Sequence, residues 1–208
     1  MKITKPKISI YEDKDLMSAY YEQEFNNYKF TKNIEKKITI NNTTIDGCIF
    51  ENIDFTNINL EDVNLIDTIF DSCDLSNKCF DEKIIGRVIF KNCKILGLSF
   101  INSSLKDIVI DNCTCRYLNF SNARMNNILI KESDLSDSTF LETEIKNIEF
   151  QKINLYKTEF IKTNLNKVDF SNSDITNAIF DANSLKGIII DRFQSQDLVG
   201  ILGVQIKD

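Results

Sequence analysis

From Ile40 to Ile190 every fifth residue is apolar, 31 positions in succession. An amphipathic helix repeats its apolar face about every 3.6 residues and a half-buried strand every 2, so neither element produces a period of five. A short fixed period of this kind is the mark of a solenoid, in which each unit packs only against its neighbours. The other phases of the repeat have their own chemistry. Two residues before the apolar centre the side chains are small or β-branched: Thr43, Cys48, Ile53, Ile58, Val63, Thr68, Cys73, Ser133, Thr163, Val168, Ser173 and Ala178. Two residues after it come Asn52, Asn57, Asp62, Asp67, Asn77, Asn92, Gly97, Asn102, Asn172 and Asn177. Asn, Asp and Gly tolerate turn backbone and bond to it locally. Each unit therefore predicts two inward side chains followed by a corner.

A slower rhythm lies on top of the first. Phe stands at 50, 70, 80, 90, 100, 120, 140, 150, 160, 170 and 180, whereas the centres halfway between are aliphatic or soft, with Phe55 the exception. Large and smaller cores alternate, so a coil holds an even number of units. Four units per coil put Phe on two opposite walls of a square tube and aliphatic residues on the other two, a way to fill a narrow core without voids. The expectation is an all-β solenoid of nearly eight coils, roughly 37 Å long at strand spacing.

Three segments follow. Residues 38–190 form the repeat. Residues 1–37 form an N-terminal cap or irregular segment, with Leu16, Met17, Tyr20 and Tyr21 spaced for a short helix over 12–24. Phe25 and Phe30 keep the five-residue register and Glu35 breaks it, which leaves a first irregular coil or a lid both open. Residues 191–208 read as a helix to Leu202 ending at Gly203, then a strand over Val204–Lys207. Bare solenoid ends expose unpaired backbone, so both ends need caps. Phe193, Leu198, Ile201, Leu202, Val204 and Ile206 suit an end cap, or an end cap that also joins two chains.

Composition narrows the function. The net charge of −6 lacks the basic footprint of a direct nucleic-acid binder. With no histidine, the commonest general base and metal ligand are missing. The six cysteines include no C-x-x-C pair and predict packing rather than zinc. Neither an enzyme site nor a cofactor is expected. No apolar run has the length of a membrane span and no secretory pattern opens the chain, so the expected location is the cytoplasm.

Several units, among them Cys73-Asp74-Leu75-Ser76-Asn77, Ser133-Asp134-Leu135-Ser136-Asp137, Val168-Asp169-Phe170-Ser171-Asn172 and Ser173-Asp174-Ile175-Thr176-Asn177, resemble those of the pentapeptide-repeat proteins. The resemblance implies a right-handed quadrilateral β-helix with four units per coil. Within that family the chain is similar to the Qnr group, the quinolone-resistance proteins that protect type II topoisomerases. Ser72 to Ser76, Phe90 to Cys93 and the tail Ile190 to Gln196 followed by Leu202-Gly203-Val204 carry this likeness. It implies a partner, DNA gyrase or topoisomerase IV, and a homodimer through the C-terminus. Lys78 and Lys83 depart from the pattern by falling on small-residue positions, which predicts a bulge or short loop around 77–87.

Two surfaces are candidates for binding. Residues 41–77 carry eight carboxylates and no Lys or Arg. Glu51, Asp54, Glu61, Asp62, Asp67, Asp71 and Asp74, with Asp134 and Asp174 further along, form either a solvated acidic face or a mimic of DNA phosphates. Ile49, Ile69, Ile89, Val109 and Leu129 stand one residue before the apolar centre on one wall. They are either a β-branched ladder that favours strand pairing or an outward stripe for a partner protein.

Overall fold

The computed structural model describes residues 1–8 and 11–199. The chain is a parallel β-solenoid of about eight turns with little helix. A short strand β1 (Glu12–Asp13) leads to helix α1 (Leu16–Glu22), and then come β2 (Tyr28–Phe30), β3 (Ile38–Asp46), β4 (Ile49–Glu51) and β5 (Ile58–Asp71). The ladder continues through β6 (Ile84–Lys91), β7 (Ser104–Asp111), β8 (Arg124–Lys131), β9 (Thr139–Leu141), β10 (Glu144–Gln151), β11 (Glu159–Ile161) and β12 (Ile179–Phe180). A last helix, α2, covers Ser195–Val199. Pairing is parallel, and from β2 onward partners stand twenty residues apart except at a local irregularity around Asn147: Phe50 on Phe70, Phe70 on Phe90, Ile89 on Val109, Phe140 on Phe160. Four five-residue units therefore close one coil.

Most corners fall where the sequence puts Asn, Asp and Gly, although Asn57 and Asn172 lie in turns without positive φ. Asn52, Asp62, Asp67, Asn77, Asn92, Asn102 and Asn177 all have φ between 48° and 58°, and Gly97 has φ 63°. Left-handed backbone costs an ordinary L-residue about 1–2 kcal/mol, and less for Gly or Asn. Arg87, Tyr117, Lys152, Lys157, Lys162 and Lys167 occupy the same conformation without that relief.

The core is two columns of stacked rings on opposite walls. Phe30, Phe50, Phe70 and Phe90 stack at 4.9, 5.1 and 5.2 Å between centroids. Facing them, Phe80, Phe100, Phe120, Phe140, Phe160 and Phe180 stack at 4.8 to 6.0 Å. The coil rise of about 4.8 Å places each ring near offset-stacking distance of the next. Leu65, Leu75, Ile85, Ile95 and Leu105 fill the other two walls and are buried.

The small inward position does more than save space. Thr68, Cys73, Ser103, Thr143, Thr158 and Thr163 each donate a side-chain hydrogen bond to the carbonyl 23 residues earlier, on the coil below. A buried hydroxyl without a partner is costly, and this carbonyl satisfies it. In the interior column Cys73, Cys93 and Cys113 obey the same rule with thiols that are free, whereas Ser133 above them donates to Lys131 O and accepts from the Cys113 N–H.

No loop protrudes around 77–87, contrary to the expectation from Lys78 and Lys83. The twenty-residue register runs unbroken from Ile84–Lys91 to Ser104–Asp111, with Cys79 bridged to Ser99. Lys83 stays in the wall and extends its stem outward, so that its ammonium meets Asp62 at 2.6 Å. A long stem along an apolar surface with a solvated head makes room for such a residue without a bulge. Lys78 is half-buried, and the loss of water lowers its pKa.

Both ends differ in detail from their sequence reading. The N-terminal helix is shorter than 12–24 because Asp15 caps it, accepting from the Ser18 N–H at 3.0 Å. Of the two readings left open there, the first irregular coil is what forms: Phe25 and Phe30 are fully buried and Ile34 takes the inward place beside Glu35. Asn33 closes this coil by standing in for a strand, donating to Asn52 O at 3.1 Å and accepting from Asp54 N at 2.7 Å. At the other end the buried Gln194 side chain donates to Phe170 O at 2.8 Å and Ser173 O at 2.6 Å, capping backbone that no further described coil covers. Within the described residues the helix there covers Ser195–Val199, starting later than the 191 expected, and 200–202 lie outside them.

Candidate functional site

The predicted acidic residues occupy walls and corners of the rod, and each has a partner close by. Asp54, Asp74, Asp134 and Asp174 stand one residue before an apolar centre. Each turns one carboxylate oxygen onto the backbone N–H two residues ahead, at 2.8, 3.0, 3.0 and 2.9 Å. Asn119, Asn154 and Asn164 make the same turn. The Asp of the repeat is thus first a turn-forming residue of the Asx type.

Most of the remaining carboxylates are taken up between coils. Glu51 meets Lys29 at 2.7 Å, Asp62 meets Lys83, and Asp71 meets Lys91 at 3.3 Å. Asp74 also holds Lys94 at 3.0 Å, and Glu61 accepts from Asn59 at 2.5 Å. Asp67 is gripped by Arg87 through two hydrogen bonds and is nearly buried. The Arg87 guanidinium beside it, more than any other group, holds the Asp67 carboxyl below the usual carboxylate range. Burial alone would raise Asp71 and Asp74. Hydrogen bonds from Asn92, Ser72 and Lys91 in the first case, and from Ser76 and Lys94 in the second, outweigh it and keep both low.

The run of eight carboxylates is therefore not an isolated block of charge. A residue has its nearest out-of-coil neighbours about twenty positions away, and Lys83, Arg87, Lys91 and Lys94 lie there. Residues 41–100 still hold ten carboxylates against five Lys or Arg. Further up, the column of Asp54 and Asp74 runs on through Lys94, Thr114, Asp134, Asn154 and Asp174, so its charge is interrupted.

Ile49, Ile69, Ile89, Val109 and Leu129 stand in register on successive coils as one ladder, and all five are half-buried. At the C-terminal end Phe193 is 82% exposed, while Leu198 packs against the core. Ile201, Leu202, Val204 and Ile206 lie outside the described residues, as does the strand expected over 204–207.

A family model for a pentapeptide repeat region matches residues 63–140, and a second, for eight copies of the pentapeptide repeat, matches 41–77 and 143–181. The chain belongs to the pentapeptide-repeat proteins. No curated protein matches it in sequence. Among solved structures it is similar to full-length QnrB1, a plasmid-mediated fluoroquinolone resistance protein, at 21% identity and TM-score 0.47, over 86% of this chain and 89% of that one. It is also similar to HetL, a pentapeptide repeat protein involved in heterocyst differentiation regulation from the cyanobacterium Nostoc sp. strain PCC 7120. There the identity is 15% and the TM-score 0.28, over 86% of this chain and 98% of that one. Likeness at this level concerns the fold alone.

Among the described residues of this pentapeptide-repeat rod, no group of three or more His, Cys, Asp or Glu is placed to hold a metal ion, and no helix is long and apolar enough to cross a membrane. The thiols are spread between the interior and one exposed position, Cys79, and burial pushes Cys48 up to about 11. Sequence reasoning missed two residue sets that shape this surface: the cations one coil beyond the acidic run, and residues 1–8, which lie along a corner. The first had a signal, a Lys or Arg about twenty positions after each of Asp62, Asp67, Asp71 and Asp74. The second had none in the five-residue pattern.

Proposed function

We propose that this rod acts by binding another protein, without chemistry of its own, and that the partner is a type II topoisomerase, DNA gyrase or topoisomerase IV, which it shields from quinolones in the cytoplasm. The observation that carries the reading is the pre-set array of carboxylates. Asp54 and Asp74 sit in register on adjacent coils with one oxygen each fixed in a turn, so the charges are ordered before any partner arrives. Charges held in advance cost little to order on binding. The excess of carboxylates over cations across residues 41–100 gives this half of the rod the sign that a DNA-binding groove attracts. The sequence likeness of Ser72 to Ser76, Phe90 to Cys93 and the 190–204 tail to the Qnr group supports the choice of partner.

The test is a gyrase supercoiling assay with ciprofloxacin. Restored supercoiling over a range of protein concentrations is expected. Neither rescue nor inhibition at any concentration refutes the topoisomerase reading.

The coil-to-coil ion pairs favour a second reading, in which the rod is a scaffold or regulator for a different protein and binds through the ladder Ile49, Ile69, Ile89, Val109 and Leu129. Much of the acidic charge is already spent within the rod, whereas this ladder keeps five apolar residues in register on five successive coils. A pull-down that recovers a non-topoisomerase partner, lost on Ile69→Lys plus Ile89→Lys, would decide for it. The dimer belongs to the proposal as well. Phe193→Asp is the sharper probe because Phe193 is exposed whereas Leu198 packs on the core. Light scattering should fall from two chains to one, and a wild type that is already one chain refutes the dimer.

A further inference from the structure

Residues 1–8 run along one corner of the rod, against the direction in which the coils advance. The Met1 nitrogen sits 3.3 Å from Glu149, the Thr4 N–H donates to Asp107 at 3.1 Å and the Lys7 N–H donates to Asp67 at 2.8 Å. The contacts recur every three residues of the arm while their anchors step back by about two coils each time. Three residues of polyproline-II chain advance about 9 Å, and two coils advance about 9.6 Å. Arm and rod are therefore commensurate: an extended chain can turn the Thr4 and Lys7 N–H groups onto acceptors of this corner, while the Met1 ammonium pairs with Glu149 on the adjoining wall.

The corner is built to receive such a chain. Asp67 and Asp107 are 6% and 3% exposed, so the carboxylates under the arm are nearly sealed from water. Asp67 is balanced by Arg87, and Asp107 is oriented by the Asn127 side-chain amide at 3.1 Å. The arm turns Ile3, Pro6 and Ile8 partly inward and leaves Lys2, Lys5 and Lys7 exposed. Among the described residues no backbone-to-backbone bond joins residues 1–8 to the coils. The arm is held by side chains of the rod, unlike a strand of the ladder. Carboxylates accept from N–H groups and repel phosphate, so the corner fits a polypeptide and not a nucleic acid.

We propose that this corner is a groove for an extended peptide that offers backbone N–H groups to Asp67 and Asp107, and that residues 1–8 fill it as an internal occupant which a like segment of a partner protein displaces. The proposal stands on the arm and its anchors and does not depend on a topoisomerase partner.

The test uses the full chain with Thr4→Pro and Lys7→Pro, which removes the two donating N–H groups and leaves the coils untouched. The probe is a fluorescently tagged peptide of residues 1–8, followed by anisotropy. A tethered occupant competes at an effective concentration in the millimolar range. The double variant should therefore bind the free peptide at least about tenfold more tightly than wild type, and a further Asp107→Ala should remove that gain. Equal binding to wild type and double variant, or binding to neither while thermal unfolding stays unchanged, overturns the proposal. A second measurement needs no substitution. In the unaltered chain the Thr4 and Lys7 amides should exchange with solvent more slowly than those of Lys2 and Lys5, and equal rates overturn it too.

Discussion

Arg87 reaches back one coil to Asp67 and holds it at two points, Nε to Oδ1 at 2.5 Å and Nη2 to Oδ2 at 2.6 Å. Both residues are corners of the same edge with positive φ, and the carboxylate also accepts the Lys7 N–H. One ion pair thus links two coils and the N-terminal arm. The depressed Asp67 pKa gives the contribution its sign. It is fully present above the unfolded carboxylate value, about 4, and is lost as the pH falls through the lower folded value. Arg87→Met should cost about 2–3 kcal/mol at neutral pH because it leaves a nearly buried carboxylate unpaired. Urea melts of the two proteins should converge as the pH drops below the unfolded carboxylate value, about 4, and through the lower folded one. A gap that stays constant with pH would contradict this account.

The ring columns make a prediction for the core. Phe100 lies between Phe80 at 6.0 Å and Phe120 at 5.3 Å and is fully buried. Phe100→Ala should cost about 3–5 kcal/mol, the transfer term plus the cavity left between two rings. Phe193→Ala, at an exposed site, should stay within about 0.5 kcal/mol of wild type. Equilibrium denaturation reads both.

Corner backbone offers a stabilising change. Lys167 has φ 68° and an exposed side chain. Lys167→Asn keeps the turn and lowers the cost of the left-handed conformation, so a gain of about 0.5–1 kcal/mol is expected. A lower melting temperature for the variant would show that the Lys side chain contributes something its backbone conformation does not reveal.

Thiol chemistry should separate interior from surface. Cys79 is exposed, whereas Cys48, Cys73, Cys93, Cys113 and Cys115 are buried. Burial pushes the Cys79 thiol up, so its reaction with a disulfide reagent should still be quickening as the pH rises past the ordinary thiol value, about 8.5. One equivalent should react in the native protein, and the other five only on unfolding. Two or more fast equivalents would mean that the coils open locally.

The repeat made the fold legible because a solenoid turns local sequence into global structure. Phe50, Phe70 and Phe90 stack for the same reason that they recur: their spacing equals one coil. Asn52, Asn77 and Gly97 announced corners because only certain residues sit easily at positive φ. The chain by itself therefore determined period, cross-section and core. It did not determine what the surface charges do. Asp74 looks like a free carboxylate until the coil above brings Lys94 to 3.0 Å and the turn brings the Ser76 N–H to 3.0 Å. It gave no sign that Gln194 would cap the last coil or that Thr4 would meet Asp107, because those contacts join segments outside the period. Periodic positions meet partners at a fixed offset that can be counted along the chain. Residues outside the period meet whatever the finished rod leaves unsatisfied, and only the tertiary structure decides that.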